Sequence, residues 1–394
     1  MKTQGYKISD RQFWVIVLSL GLASMFIFAA MYLFQPLIPL FTSEFDISIS
    51  YASLSMSLTT LSLIAGLIVF GFFSDRNGRV FFVKLSIFLS LLPFLIIPFT
   101  DSFFVIIILR FIQGFTLAGV PAAALAYIGE EIDAEHIALA TSLYISCNAL
   151  GGMIGRIVAA YASEQYSWQL VFIILSGFGA LVLAIVLFAL PKSRNFVRSE
   201  RLLREDFRSF LYHLQNPKLL VLFGLGIVLQ MSFTGVWTYI PFYLIEPPFS
   251  LSLDTISSLY FAYGLGIIGA PIASWLSQRL GLIKVRTIAI SIMVLGIVGT
   301  LSSSLWLIVI GLCILCFGFF TSHSLTAASV SRTATHQKGS ASSLYLVSYY
   351  IGVACGSTLL SPLWTFVNWT ILVGFTVCLP LLYLLFLTFQ FKKN

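Results

Sequence analysis

Twelve apolar runs of about 20 residues, the length that spans a hydrocarbon core about 30 Å thick, dominate the chain. They lie roughly at 12–34, 52–73, 80–99, 102–129, 137–161, 168–190, 218–243, 255–277, 285–301, 304–328, 339–362 and 369–390. The first runs from Phe13 beyond Met31, longer than the roughly 7–15-residue core of a cleavable signal peptide, and is read as a retained helix. Such a chain cannot cover its own surface in water. Of its 394 residues 59% are hydrophobic and 9% charged, against roughly 25% charged in soluble domains. A soluble enzyme, a disordered chain and a nucleic-acid reader are excluded, although the formal net charge is +7. The five cysteines lie inside apolar runs, so neither a disulfide framework nor a metal cage is expected, and no cofactor.

The basic residues sit on one side of the twelve runs. Lys2, Lys7 and Arg11 precede the first run; Arg76, Arg79 and Lys84 follow the second; Lys192 to Lys218 fill a central stretch. Arg279, Lys284 and Arg286, then Arg332 and Lys338, then Lys392 and Lys393 complete the set, so that 20 of 22 Lys and Arg share a side. The opposite loops carry only acids, among them Glu44, Asp101 and Glu164. Positive charge marks the cytoplasmic side, which places both termini in the cytoplasm. One loop on that side, GEEIDAEH after the fourth run, is acidic. Pairing of Arg76 or Arg79 with Glu130 or Glu131 accounts for it; simple solvation of both loops is the other reading.

The chain also repeats itself. TSLYISCNALGGMIG (141–155) aligns with SSLYLVSYYIGVACG (342–356), and Trp168 with Trp369. GFFSDRNG (71–78) meets SWLSQRLG (274–281). The chain therefore reads as an all-α membrane protein of twelve transmembrane helices in two parallel six-helix halves, 1–191 and 218–394, joined by a cytoplasmic linker at 192–217. Parallel repeats of this kind are a transporter architecture, with the substrate between the halves near the midplane.

Three segments carry a family resemblance. GFFSDRNGRV (71–80) resembles the signature loop of the major facilitator superfamily, ILRFIQGF (108–115) its second motif, and NALGGMIGR (148–156) the glycine-rich fifth-helix motif of its drug–proton antiporters, with Arg156 where Pro is expected. Together with FTSHS (320–324) and SSLYLVSYYIG (342–352), this is similar to the arabinose-efflux-like branch of bacterial inner-membrane transporters. The resemblance implies a major facilitator fold and a gating motif of Gly71, Asp75, Arg76, Gly78 and Arg79. In it Gly71 serves close helix packing, Gly78 a tight turn, and Asp75 meets the start of the eleventh helix. It further implies a role for Arg110 in proton or substrate handling.

Arg110 and Arg156 are the two arginines in the interior of the runs, away from their ends, where an arginine costs at least about 2.5–3.5 kcal/mol on insertion scales. For Arg156 two readings stand: a guanidinium that snorkels outward or pairs with Glu164, and an anion contact on the translocation path. No Asp or Glu falls inside a run, which leaves His323, with an ordinary pKa of about 6.5, as the candidate for proton coupling; a neutral hydrogen-bonding histidine is the alternative. Gln113, Asn148, Tyr239, Tyr345 and Tyr349 either line the path or join helices. There is no HExxH, no paired intramembrane carboxylates and no nucleotide-binding loop, so an enzyme and an ATP-driven pump are excluded. The expected function is alternating-access transport of a small organic solute, for which the resemblance implies efflux by proton antiport; the alternative is transport of an anionic metabolite through the intramembrane arginines. Membrane lipid and protons are the expected partners, with no nucleic acid, and the resemblance implies a monomer.

Overall fold

A computed structural model describes residues 5–133, 135–198, 210–334 and 338–392. Their regular structure is helical, and the strand-like pairing among them is one bridge between Tyr6 and Ile132. Lipid offers the backbone no hydrogen-bond partner, so a spanning segment must close its bonds within itself. Each expected run becomes one helical rod: α1 (Arg11–Glu44), α2 (Ile49–Asn77), α3 (Arg79–Phe99), α4 (Phe103–Glu131), α5 (Ile137–Gln165) and α6 (Trp168–Ala189). They are followed by α7 (Pro217–Ile245), α8 (Leu253–Leu259 continuing as Tyr263–Leu280), α9 (Leu282–Gly299) and α10 (Leu305–Thr333). The series closes with α11 (Lys338–Thr358, then Ser361–Phe366) and α12 (Trp369–Lys392). Among the described residues, ten of these are long and apolar enough to cross a membrane. The other two are α8, which runs through a 3-10 turn at Tyr260–Ala262, and α12, whose described apolar stretch is Trp369–Leu385.

The chain forms two compact units, Met1–Asp46 with Leu54–Glu200, and Ile47–Ser53 with Arg201–Asn394. Of the linker expected at 192–217, residues 199–209 lie outside the described residues.

The internal repeat reappears in the packing of each unit. Gly151 and Gly155 of α5 lie directly on the backbone of α1, where a Cβ on Gly155 would stand 2.6 Å from the Ala29 Cα. Gly352 and Gly356 of α11 do the same to α7, with a Cβ on Gly352 2.6 Å from the Ile227 carbonyl oxygen. Small residues four apart let two helices approach closely in lipid, where van der Waals contact is the main attraction. The turns repeat as well: Gly78 (φ +102°) and Gly281 (φ +86°) both take the left-handed region that favours glycine. Trp168 and Trp369 are both buried; the first packs on Phe41, the second stacks on Tyr243 and donates to the Thr300 carbonyl.

The first rod is broken. Its helix stops at Tyr32, passes through Leu33 and resumes at Phe34. Pro36 and Pro39 follow at once. Each lacks an N–H and crowds the carbonyl four residues earlier, so the break has a local cause.

Candidate functional site

The motif at the α2–α3 turn is built on Arg79, the first residue of α3 and 8% exposed. Its Nε and Nη2 donate to one oxygen of Glu130, at 3.1 and 2.9 Å, and its Nη1 to the Ser74 hydroxyl and the Asp75 carboxylate. The pairing expected between the two loops thus forms through Arg79 and Glu130. Arg76 turns back on its own helix, donating to the Phe72 carbonyl at 2.9 Å with its guanidinium over the Phe72 ring. Gly78 makes the turn, as expected. Gly71 differs from expectation: a Cβ there would meet nothing within 4 Å, so close helix packing does not explain it.

Glu131 does not join that network. It is fully buried, and one carboxylate oxygen accepts from the backbone N–H of Arg194 at 2.6 Å and of Asn195 at 2.8 Å. The Arg194 Nε lies 3.7 Å from its other oxygen.

Arg110 is fully buried in α4. Its guanidinium donates to the Ala30 and Met31 carbonyls at 2.9 and 3.1 Å and to Gln113, and lies over the Phe34 ring. These are the carbonyls just before the break in α1, so Arg110 supplies donors that the interrupted helix lacks. Gln113 passes the chain on to the Ser90 carbonyl at 2.9 Å. Both side chains join helices inside the first unit and face no solvent.

Arg156 is buried at 3% exposure, so it does not snorkel. Its Nε donates to Gln35 at 2.7 Å and its Nη1 to the Gly152 carbonyl at 2.7 Å; the guanidinium lies 4.1 Å from the Tyr32 ring centre. Asn148, two turns earlier, accepts from the Ser24 hydroxyl. Tyr32 and Gln35 flank the α1 break, so the two intramembrane arginines both meet α1 near that break.

In the second unit His323 of α10 sits among rings: Phe319 at 5.8 Å, Tyr345 at 5.4 Å and Tyr349 at 4.8 Å between centroids. The Tyr345 hydroxyl is 2.8 Å from His323 Nδ1. Tyr239 differs from the path-lining expectation; fully buried, it donates to the Ser357 carbonyl at 2.7 Å and ties α7 to α11. A further buried arginine, Arg286, stands where the charge pattern alone places a loop. It lies within α9, 3% exposed, donating to the Ser329 hydroxyl of α10 at 3.0 Å.

The sequence profile of the Major Facilitator Superfamily matches residues 20–357 and 222–393. The chain is 35% identical over 347 residues to the uncharacterized MFS-type transporter YybF of Bacillus subtilis, covering 88% of this chain and 86% of that one. It is 33% identical over 369 residues to the inner membrane transport protein YnfM of Escherichia coli, covering 93% and 88%. Its fold is similar to the inward-facing crystal structure of a bacterial homologue of the human lysosomal transporter Spinster. There the TM-score is 0.75 at 15% identity, over 90% of this chain and 82% of that one.

Proposed function

The chain belongs to the Major Facilitator Superfamily, and from that premise we propose that it exports a small organic solute across the bacterial cytoplasmic membrane in exchange for protons. That it is a multi-pass membrane transporter, and not an enzyme, follows from the family itself. In the proposed reading both termini are cytoplasmic, in keeping with the distribution of basic residues. The two six-helix halves, 1–191 and 218–394 with the linker 192–217 between them, alternate access, and the molecule works as a monomer in lipid.

The observation that carries proton exchange is His323. No Asp or Glu stands inside an apolar run, and His323 is the histidine held within a described span, its Nδ1 against the Tyr345 hydroxyl. Imidazole is the side-chain type best suited to taking up and releasing a proton in such an exchange. Gating rests on Arg79, which ties the end of α2 and the start of α3 to the end of α4 on the face read as cytoplasmic.

The test is acidification of proteoliposomes carrying a pH-sensitive dye, challenged with a panel of lipophilic cations, neutral sugars and small carboxylates. Proton movement driven by at least one compound, and lost in His323→Gln, is expected. Solute movement with no proton movement would remove the antiport reading.

A second reading, transport of an anionic metabolite, is favoured by Arg156, a guanidinium buried against Gln35, Gly152 and Tyr32 near the break in α1. Such a site suits a carboxylate more than a cation.

A further inference from the structure

The last turn of α4 holds two adjacent carboxylates with separate partners. Glu130 faces Arg79, while Glu131 faces the chain that leads out of the first unit. A helix C-terminus is the negative end of the macrodipole and its last turn frays, so two acids there are doubly disfavoured unless something pins them. Here two segments do so.

From one side comes the N-terminal stretch. The Tyr6 N–H donates to the Glu131 carbonyl at 2.8 Å and the Asp133 N–H to the Tyr6 carbonyl at 3.0 Å. Gly5 makes this approach possible, since a Cβ would stand 2.6 Å from the Ile132 carbonyl carbon. From the other side comes the stretch after α6. The Pro191 carbonyl accepts from the Tyr127 hydroxyl at 2.8 Å, Arg194 and Asn195 donate to Glu131, and the Arg194 guanidinium lies 3.8 Å from the centre of the Tyr6 ring. One residue further on, Phe196 brings its ring within 5.8 Å of the Arg79 guanidinium. The segment fastened by Glu131 therefore reaches the same arginine that Glu130 holds.

We propose that Glu131 is a positioning residue of the gate: its carboxylate clasps Arg194 and Asn195 to the end of α4, which seats Arg194 on Tyr6 of the backbone-bonded N-terminal stretch and holds Glu130 and Phe196 in place on Arg79. The departing chain is then part of the gating network and transmits to Arg79 any pull on the linker. This rests on the gating reading of Arg79 given above.

The clasp is tested by amide hydrogen exchange on the full-length protein in lipid nanodiscs, comparing wild type with Glu131→Gln and Arg194→Gln. Charge-assisted bonds are roughly twice as strong as neutral ones. Glu131→Gln is thus expected to accelerate exchange about tenfold at residues 191–197 and 5–10, and also at 74–82 around Arg79. Arg194→Gln is expected to act on the same three segments more weakly, about threefold, because the backbone bonds remain. Acceleration confined to 191–197 and 5–10, with 74–82 unchanged, would make Glu131 a linker anchor only and overturn the proposal; so would no change anywhere. If Glu131→Gln loosens all of α1–α6, the outcome is decided by Arg194→Gln, whose side chain is 40% exposed and dispensable to the core. Exchange reads the network without transport, so normal transport by Arg79→Gln would end the gating reading and leave the clasp result standing.

Discussion

Arg79 and Glu130, 51 residues apart in the chain, meet on a single carboxylate oxygen, with Nε at 3.1 Å and Nη2 at 2.9 Å. The guanidinium fork leaves its remaining nitrogen for Ser74 and Asp75 on the other side of the turn. One arginine thus ties the end of α2, the start of α3 and the end of α4. Lysine carries the same charge but a single ammonium in place of a planar fork, and cannot serve all three acceptors in the same way.

Arg79→Lys and Glu130→Gln are therefore expected to be coupled. In a double-mutant cycle read by thermal unfolding in detergent, their interaction energy should fall at about 1–3 kcal/mol. Strictly additive effects would mean that the two side chains touch without holding each other.

The glycine pairs give a prediction about the repeat. Gly155→Val and Gly356→Val push side-chain atoms into the backbones of α1 and α7, and each is expected to lower stability by about 1–3 kcal/mol. Gly71→Ala is the control, because open space surrounds that position; its stability should not fall. A loss at Gly71 equal to the loss at Gly155 would refute the packing account.

The same positions show what a sequence can convey. Gly151, Gly155, Gly352 and Gly356 stand in register in the repeat, and their common role on the first helix of each unit follows the pattern. Gly71 lies in an equally recognisable motif, yet nothing local reveals whether a neighbouring helix faces it. Arg286 reads as a loop residue because basic charge is itself the mark of a loop; that logic cannot separate an exposed arginine from one buried a single turn inside α9. For Glu131 the difficulty is distance. Its partners Arg194 and Asn195 lie 63 and 64 residues away, and two adjacent acids look alike until the chain folds back. Arg110 is legible in part: a buried arginine requires acceptors. That they are backbone carbonyls, exposed by the break ahead of Pro36, depends on a contact 79 and 80 residues long.

That contact leads to a prediction on Arg110→Met. Replacing a buried charge by an apolar residue of similar volume is often close to neutral. Here it would leave the Ala30 and Met31 carbonyls without their donors, each worth about 1–3 kcal/mol when buried and unpaired. A stability loss of about 2–5 kcal/mol is expected in thermal unfolding, with Arg110→Lys losing less. A fully stable Arg110→Met protein would show that the broken helix needs no donor from α4.

His323 and Tyr345 differ in what their loss should do to pH dependence. His323→Gln removes the titrating ring and is expected to flatten the proton response of reconstituted vesicles. Tyr345→Phe removes a hydrogen bond and keeps the ring, so a pH response should persist with an altered midpoint. If Tyr345→Phe flattens the profile as completely as His323→Gln, the pair acts through its packing and not through the imidazole proton.

Arg156 decides between the two substrate classes, and ligand-induced thermal stabilisation reads it directly. A ligand at about 100 times its dissociation constant adds about 2.7 kcal/mol to stability, enough to see against a panel of lipophilic cations, sugars and small carboxylates. If the guanidinium beside Gln35 and Tyr32 receives an anion, carboxylates should stabilise the wild-type protein, and Arg156→Ala should abolish that gain. Arg156→Lys should keep part of it, since charge is retained and the bidentate fork is lost. Stabilisation by cations or sugars that is the same in all three proteins would instead make Arg156 a tie between α5 and α1, and would leave export of a neutral or cationic solute as the function.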